Sequence, residues 1–146
     1  MAVVTVFDHC AAAAAGVEVH ALQELATEAC PICLEAAIDT SAPLHGLVEI
    51  EISLVGDEEI ARVHGEFMGD PTPTDVITFH HGEILVSPET AERQRGAHGY
   101  SLQRELTLYT IHGLLHLAGH EDATAEGAAR MKDLQEAILR QVMPAA

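Results

Sequence analysis

The alternation of apolar and polar residues predicts four short strands. They are expected at residues 2–7, 47–55, 74–80 and 82–87. In the second of them, LVEIEISLV, apolar and acidic residues alternate as they do in a strand with one buried face. The last two are separated only by a short turn around His81 and Gly82, which predicts a β-hairpin.

Apolar residues at three- and four-residue spacing predict four helices, and a polar segment that begins at Pro88 is expected to form a fifth. They are expected over residues 17–38, 58–69, 88–100, 101–118 and 124–142. Pro31 is expected to kink or end the first helix, and Asp57 to cap the second. Ser101 and Thr124 are expected to start the last two, of which helix 101–118 is apolar on most sides and therefore predicted to be buried.

Length and composition are those of one globular unit. The chain has 146 residues, 48% of them apolar, and no apolar stretch long enough to span a bilayer, so we predict a single domain over 1–146 without a membrane partner. No Lys or Arg precedes the small-residue run near the N-terminus, so no signal peptide is predicted and the cytoplasm is the expected location.

The net charge disfavours one class of partner, and the number of cysteines disfavours a disulfide framework. Seven basic residues against 23 acidic ones leave a formal charge of −16, which disfavours free-standing binding to DNA or long RNA. It remains compatible with a phosphodiester substrate presented inside a larger assembly. Cys10, Cys30 and Cys33 are an odd set, so reduced thiols are expected, and the lone pair Cys30 and Cys33 is expected to pack a helix.

Two histidines on the buried helix form the main chemical signal. His112 and His116 are four residues apart, so they project from one helix face about one turn from each other. Gly119 stands where the helix should end, and glycine accepts the left-handed conformation that turns the chain back. His120, Glu121 or Asp122 could then supply a third metal ligand.

The ligand spacing favours Asp122 as the third ligand, with His120 as the alternative. The pattern H-x-x-x-H-x-x-G-x-x-ligand is that of metzincin-type zinc sites, although Asp122 could instead cap the last helix. Three protein ligands leave a position for a water that zinc acidifies, which predicts metal-assisted hydrolysis.

Gly113 separates this site from the common zinc proteases. It occupies the position at which HExxH enzymes carry their glutamate base, which disfavours that class of protease. Glycine inside a helix costs about 1 kcal/mol relative to alanine. Its presence predicts either space for substrate or close packing of a neighbouring element.

The chain resembles the YbeY family of bacterial endoribonucleases and ribosomal RNA maturation factors. The segment HGLLHLAG at 112–119 follows the family signature position by position. Three further stretches resemble family motifs in the same order, namely LVGDEEI at 54–60, PTDVITF at 73–79 and GEILVS at 82–87.

The resemblance implies an α+β fold, a small mixed sheet of about four strands packed with helices around the central histidine helix. It also implies one zinc ion and a single-strand-specific endoribonuclease. The expected role is 16S ribosomal RNA maturation and ribosome quality control, with ribosomal RNA and the small ribosomal subunit as partners.

Two positions depart from the family pattern. Asp122 stands where the family has its third metal-binding histidine, and a carboxylate there would make the metal-bound water less acidic. Met68 stands where the family has an arginine near the phosphate.

These departures give an alternative function, a zinc-stabilised ribosome-assembly factor with little or no nuclease activity. A metallohydrolase for another substrate is a third hypothesis. The sequence identifies no general acid or base beyond the proximity of Glu121.

Overall fold

The computed structural model describes residues 2–144 and forms a four-stranded mixed sheet packed with helices. The strands are β1 (Val3–Asp8), β2 (Glu49–Leu54), β3 (Val76–Phe79) and β4 (Glu83–Val86). Their order in the sheet is β1-β2-β4-β3. The first three in this order are parallel, and β3 pairs antiparallel with β4. The predicted strands, the hairpin and the α+β class are confirmed.

The five predicted helices are also found in the described part of the chain. They are α1 (Val19–Glu35), α2 (Asp57–Met68), α3 (Pro88–His98), α4 (Leu102–Leu117) and α5 (Ala125–Val142). Ser101 caps α4 by accepting a hydrogen bond from the Arg104 amide, and Thr124 caps α5 through the Gly127 amide. Two short 3₁₀ turns, Ala12–Ala15 and Pro43–Gly46, were not predicted.

The structure bears on the predictions made for Pro31 and Asp57. Pro31 does not end α1, which continues to Glu35, because the turn around Pro31 carries Cys30 and Cys33 into the hydrophobic core. This burial also confirms the packing interpretation of the two cysteines. Asp57 does not cap α2 either. Gly56 is the cap residue, and Asp57 is the first residue of the helix.

The sheet has a different cover on each face, and this arrangement positions α4. One face joins α1, α4 and α5 in the main core through the strand residues Val4, Val6, Ile50, Ile52, Leu54, Ile84 and Val86. The other face packs on α2 in a smaller cluster of Val55, Ile60, Val63, Ile77 and Leu85. Helix α4 is therefore held between the sheet and α5, with its two histidines at the margin of the core.

Gly113 is required by the close approach of α4 to the sheet. A Cβ atom at this position would lie 2.8 Å from Ile84 Cγ2 and 3.2 Å from Thr78 Oγ1. Of the two explanations open for Gly113, the structure supports close packing. The contact anchors the middle of α4 on β3 and β4.

The Asp57 carboxylate instead joins α2 to α3. It accepts hydrogen bonds from Ser87 Oγ at 2.7 Å and Thr90 Oγ1 at 2.8 Å, and it pairs with Arg93. Burial alone would raise the pKa of Asp57, but these hydrogen bonds and the Arg93 charge outweigh it and hold the pKa below its ordinary value of 3.8. The charged form of Asp57 therefore stabilises the fold.

We expect Asp57→Asn to lower the free energy of unfolding by about 1–2 kcal/mol at pH 7. Because the pKa of Asp57 is lower in the folded than in the unfolded protein, the loss should be complete above pH 3.8 and should shrink as the pH falls further. Urea titrations between pH 7 and pH 3 measure this difference. Asp133→Asn, at an exposed position of α5, is the control and should leave the free energy of unfolding nearly unchanged. A destabilisation of Asp57→Asn that is independent of pH would contradict the prediction.

Candidate metal centre

His112 and His116 lie side by side on the surface-facing margin of α4. Their ring centroids are 4.6 Å apart and their planes nearly perpendicular. The Nε2 atoms face each other at 3.0 Å. Each side chain is 20% exposed, so the pair is supported by the core but open to solvent.

The turn after α4 brings a carboxylate to this pair. Gly119 has a φ of 94°, the left-handed conformation expected at this position, and its amide donates to the His116 carbonyl. Asp122 then places Oδ2 at 3.4 Å from His112 Nε2 and Oδ1 at 3.8 Å from His116 Nε2. The glycine turn thus brings together three side chains that the sequence separates by ten residues.

The opposite nitrogen of each ring faces a hydrogen-bond acceptor. His112 Nδ1 lies 2.7 Å from Gln135 Oε1, and His116 Nδ1 lies 2.9 Å from the His120 carbonyl oxygen. An acceptor at Nδ1 places the proton there and leaves the lone pair on Nε2. Two lone pairs and the Asp122 carboxylate therefore converge on one point, an arrangement that a bound cation stabilises.

The donor set fits a zinc ion. One ligand atom from each of His112, His116 and Asp122 lies within 4.8 Å of the others. Ligand atoms about 2.0–2.1 Å from a tetrahedral zinc are separated by roughly 3.3 Å. The distances of 3.0, 3.4 and 3.8 Å between the facing atoms are near that value. Two imidazoles and one carboxylate are also a ligand combination found in catalytic zinc sites.

The protonation state of His116 agrees with metal binding. Burial and the neighbouring His112 lower the pKa of His116, and this outweighs the opposite effect of Asp122 and Glu121. A lowered pKa keeps the imidazole neutral at neutral pH. Neutral imidazole is the form that binds a metal ion.

His120 and Glu121 occupy different places from Asp122. His120 is 5% exposed, and its Nε2 lies 2.7 Å from the Ala36 carbonyl oxygen, which links this turn to the end of α1. Glu121 places Oε2 3.9 Å from His116 Nδ1, the nitrogen on the far side of the ring from Asp122. The predicted alternative role of Asp122 as a helix cap is wrong, because Thr124 caps α5.

Gln135 was not predicted from the sequence as part of the site. It lies on α5 between Met131 and Ile138, both of which are buried, and it contacts His112 from the neighbouring helix. A polar residue on the apolar face of an amphipathic helix was the available signal. Its partner is 23 residues away in the chain and was not predictable from local spacing.

Comparison with known proteins identifies the family. The family model described as endoribonuclease YbeY matches residues 13–143. This chain belongs to the YbeY family. The resemblance found in the sequence is thereby confirmed, and with it the membership of a family of hydrolytic nucleases.

Individual relatives support the assignment. The endoribonuclease YbeY of Heliobacterium modesticaldum is 36% identical over 129 residues, which cover 74% of this chain and 75% of the relative. That of Moorella thermoacetica is 38% identical over 113 residues, or 64% and 72% of the two chains. The solution structure of TM1509 from Thermotoga maritima matches 95% of this chain and 88% of its own, with 26% identity and a TM-score of 0.62.

Met68 is the position at which the sequence resemblance predicts a departure from the family pattern. It is the last residue of α2 and is 56% exposed, immediately before the left-handed Gly69. A thioether there provides no positive charge for a phosphate group.

Within residues 2–144, no helix is both long and apolar enough to cross a membrane.

Proposed function

We propose that this YbeY protein is a zinc-dependent endoribonuclease that cleaves single-stranded RNA and acts in 16S ribosomal RNA maturation and ribosome quality control. The observation that carries the proposal is the convergence of His112 Nε2, His116 Nε2 and the Asp122 carboxylate on one point. Relatives that share most of the chain are named as endoribonucleases, which supports RNA as the substrate.

In this proposal His112, His116 and Asp122 hold the zinc ion. When bound, zinc would supply a water acidified toward neutral pH and a Lewis acid for a phosphate oxygen. The chain's own contribution is to hold the ring protons of His112 and His116 at Nδ1, through Gln135 and the His120 carbonyl, so that both Nε2 atoms face the metal. The partial exposure of the histidine pair gives a single strand access to the site.

Asp122 is the third ligand in this proposal, and His120 is not. The Nε2 atom of His120 is engaged by the Ala36 carbonyl, and its side chain is buried among the residues that close the turn. Asp122 is the residue whose oxygens reach both histidine Nε2 atoms. A carboxylate ligand makes the metal less electrophilic than a third imidazole would, so a slower hydrolytic step is expected than in members with three histidines.

The charge of the chain bears on how the substrate reaches the site. With a formal charge of −16, the protein repels a free polyphosphate at long range. Among the described residues, Arg62, Arg93 and Arg95 are paired with carboxylates, as are Arg130 and Lys132. We therefore propose that ribosomal RNA is presented to the site within the small ribosomal subunit, where other components neutralise the backbone.

A second candidate function is a zinc-stabilised ribosome-assembly factor with little nuclease activity. The exposed thioether of Met68, at the position where the resemblance places an arginine in the family, is the observation that favours it. Loss of a cation that stabilises the charge developing on phosphate would reduce the cleavage rate without affecting the fold.

Cleavage of RNA by metal-free and zinc-loaded protein distinguishes the two candidates. We expect protein treated with a chelator to lose cleavage of a single-stranded oligoribonucleotide, and stoichiometric zinc to restore it. The same oligonucleotide annealed to its complement should be resistant, because the regular backbone of a duplex cannot bend to reach the partly buried histidine pair. Absence of cleavage by fully zinc-loaded protein would favour the assembly factor.

A further inference from the structure

We propose that Gln135 is a positioning residue for the metal site. It holds the His112 ring in the tautomer that binds zinc and sets the charge of the site through its neutral amide. The inference rests on the proposed zinc site and extends it to helix α5, which carries none of the three ligands.

The geometry of the contact supports this role. Gln135 Oε1 lies 2.7 Å from His112 Nδ1, the shortest of the contacts made by the two histidine rings. The contact is partly buried and joins α5 to α4. Met131 and Ile138 anchor α5 in the core on either side of Gln135, so the amide is presented from a fixed backbone.

His112 and His116 differ in how their Nδ1 atoms are satisfied. His116 faces a backbone carbonyl, which no substitution of a side chain removes directly. His112 depends on the side chain of Gln135. Without that acceptor, the His112 ring is free to place its proton on Nε2, where it would compete with the metal.

The neutrality of glutamine matters because Asp122 is charged. A divalent ion bound by two neutral imidazoles and one carboxylate keeps one net positive charge. A glutamate at position 135 would accept the same hydrogen bond. Its negative charge would, however, offset the remaining positive charge of the metal site and raise the basicity of the His112 ligand. Glutamine thus orients His112 without further reducing the electrophilic character of the metal.

Three variants of Gln135 test the proposal, with Gln141→Ala as the matched control on an exposed position of the same helix. Gln135→Leu removes the acceptor, and Gln135→Asn shortens its reach by one methylene group. Both should weaken zinc binding about 10–100-fold in competition with a chromophoric chelator. Gln135→Glu should bind zinc at least as tightly as the wild type while its cleavage activity shifts to higher pH.

Nitrogen-15 spectra of the histidine rings in metal-free protein provide a readout independent of activity. The wild type should show His112 protonated at Nδ1, and Gln135→Leu should show a mixture of tautomers or the Nε2–H form. Circular dichroism confirms that each variant is folded. Unchanged zinc affinity and an unchanged His112 tautomer in folded Gln135→Leu would overturn the proposal.

The two readouts separate this inference from the proposed function. Wild-type protein that binds zinc without cleaving RNA would contradict the endoribonuclease, and the affinities of the Gln135 variants would still decide the role of Gln135. If the wild type binds no zinc, the zinc site fails and the role in metal affinity fails with it. The tautomer comparison would then decide the orientation of His112 alone.

Discussion

His116→Ala is expected to abolish zinc binding and RNA cleavage together. The substitution removes the Nε2 donor that lies 3.0 Å from His112 Nε2 and leaves only one imidazole and one carboxylate at the site. The loss in zinc affinity should exceed the roughly 100-fold upper range for an outer-shell partner. Elemental analysis of purified protein and cleavage of a single-stranded oligoribonucleotide measure the two effects.

Substitutions of other residues test the ligand set. His80→Ala changes an exposed histidine near the hairpin turn and should leave zinc content and cleavage unchanged. Asp122→Ala should lose zinc, whereas His120→Gln should retain it, because the His120 ring is engaged by the Ala36 carbonyl. The opposite result for this last pair would make His120 the third ligand. Full zinc occupancy in His116→Ala would contradict the metal site itself.

His98→Ala should destabilise the protein by about 2–3 kcal/mol. Glu105 is fully buried in α4, and its Oε1 atom lies 2.9 Å from His98 Nδ1 at the end of α3. Within residues 2–144, Glu105 Oε2 has no hydrogen-bond partner. Removal of His98 therefore leaves a buried carboxylate without its main partner. The expected loss is smaller than for a fully buried pair because His98 is 41% exposed.

A double-mutant cycle tests whether the buried Glu105 carboxylate causes the loss of stability in His98→Ala. Glu105→Leu replaces the carboxylate by an apolar side chain of similar size, and in the His98→Ala background it should restore most of the lost stability. Urea unfolding at pH 7 measures all four proteins. His20→Ala, which breaks an ion pair at the exposed surface of α1, should change stability by less than about 0.5 kcal/mol. Equal stability of His98→Ala and the double variant would show that the buried charge is not responsible.

Local features of the sequence were sufficient for most of the fold. The alternation in LVEIEISLV, the caps Ser101 and Thr124, and the turn at Gly119 are all found as predicted. Each depends on residues within a few positions of one another, where the periods of strand and helix and the geometry of caps apply directly. The histidine pair belongs to the same class, since a separation of four residues places both rings on one helix face.

Other features depended on neighbours far away in the chain. Pro31 was expected to kink or end a helix, and α1 continues through it to Glu35 with Cys30 and Cys33 in the core. Asp57 was expected to cap α2, but Ser87, Thr90 and Arg93 engage its carboxylate. At both positions, contacts with residues far away in the chain accompany the departure from the local preference, which is about 3 kcal/mol for proline inside a helix and about 1 kcal/mol for a helix cap.

The candidate metal site also combines features that the local sequence predicts with features that depend on long-range packing. The sequence by itself determined where the two histidines and the glycine turn lie, because helix periodicity and the conformational freedom of glycine are local properties. Only the tertiary structure decided which residue of the turn faces the histidines, why position 113 has no room for a side chain and that Gln135 contacts His112. These depend on how α4 packs against the sheet and α5, and packing between elements distant in the chain leaves no fixed spacing in the sequence.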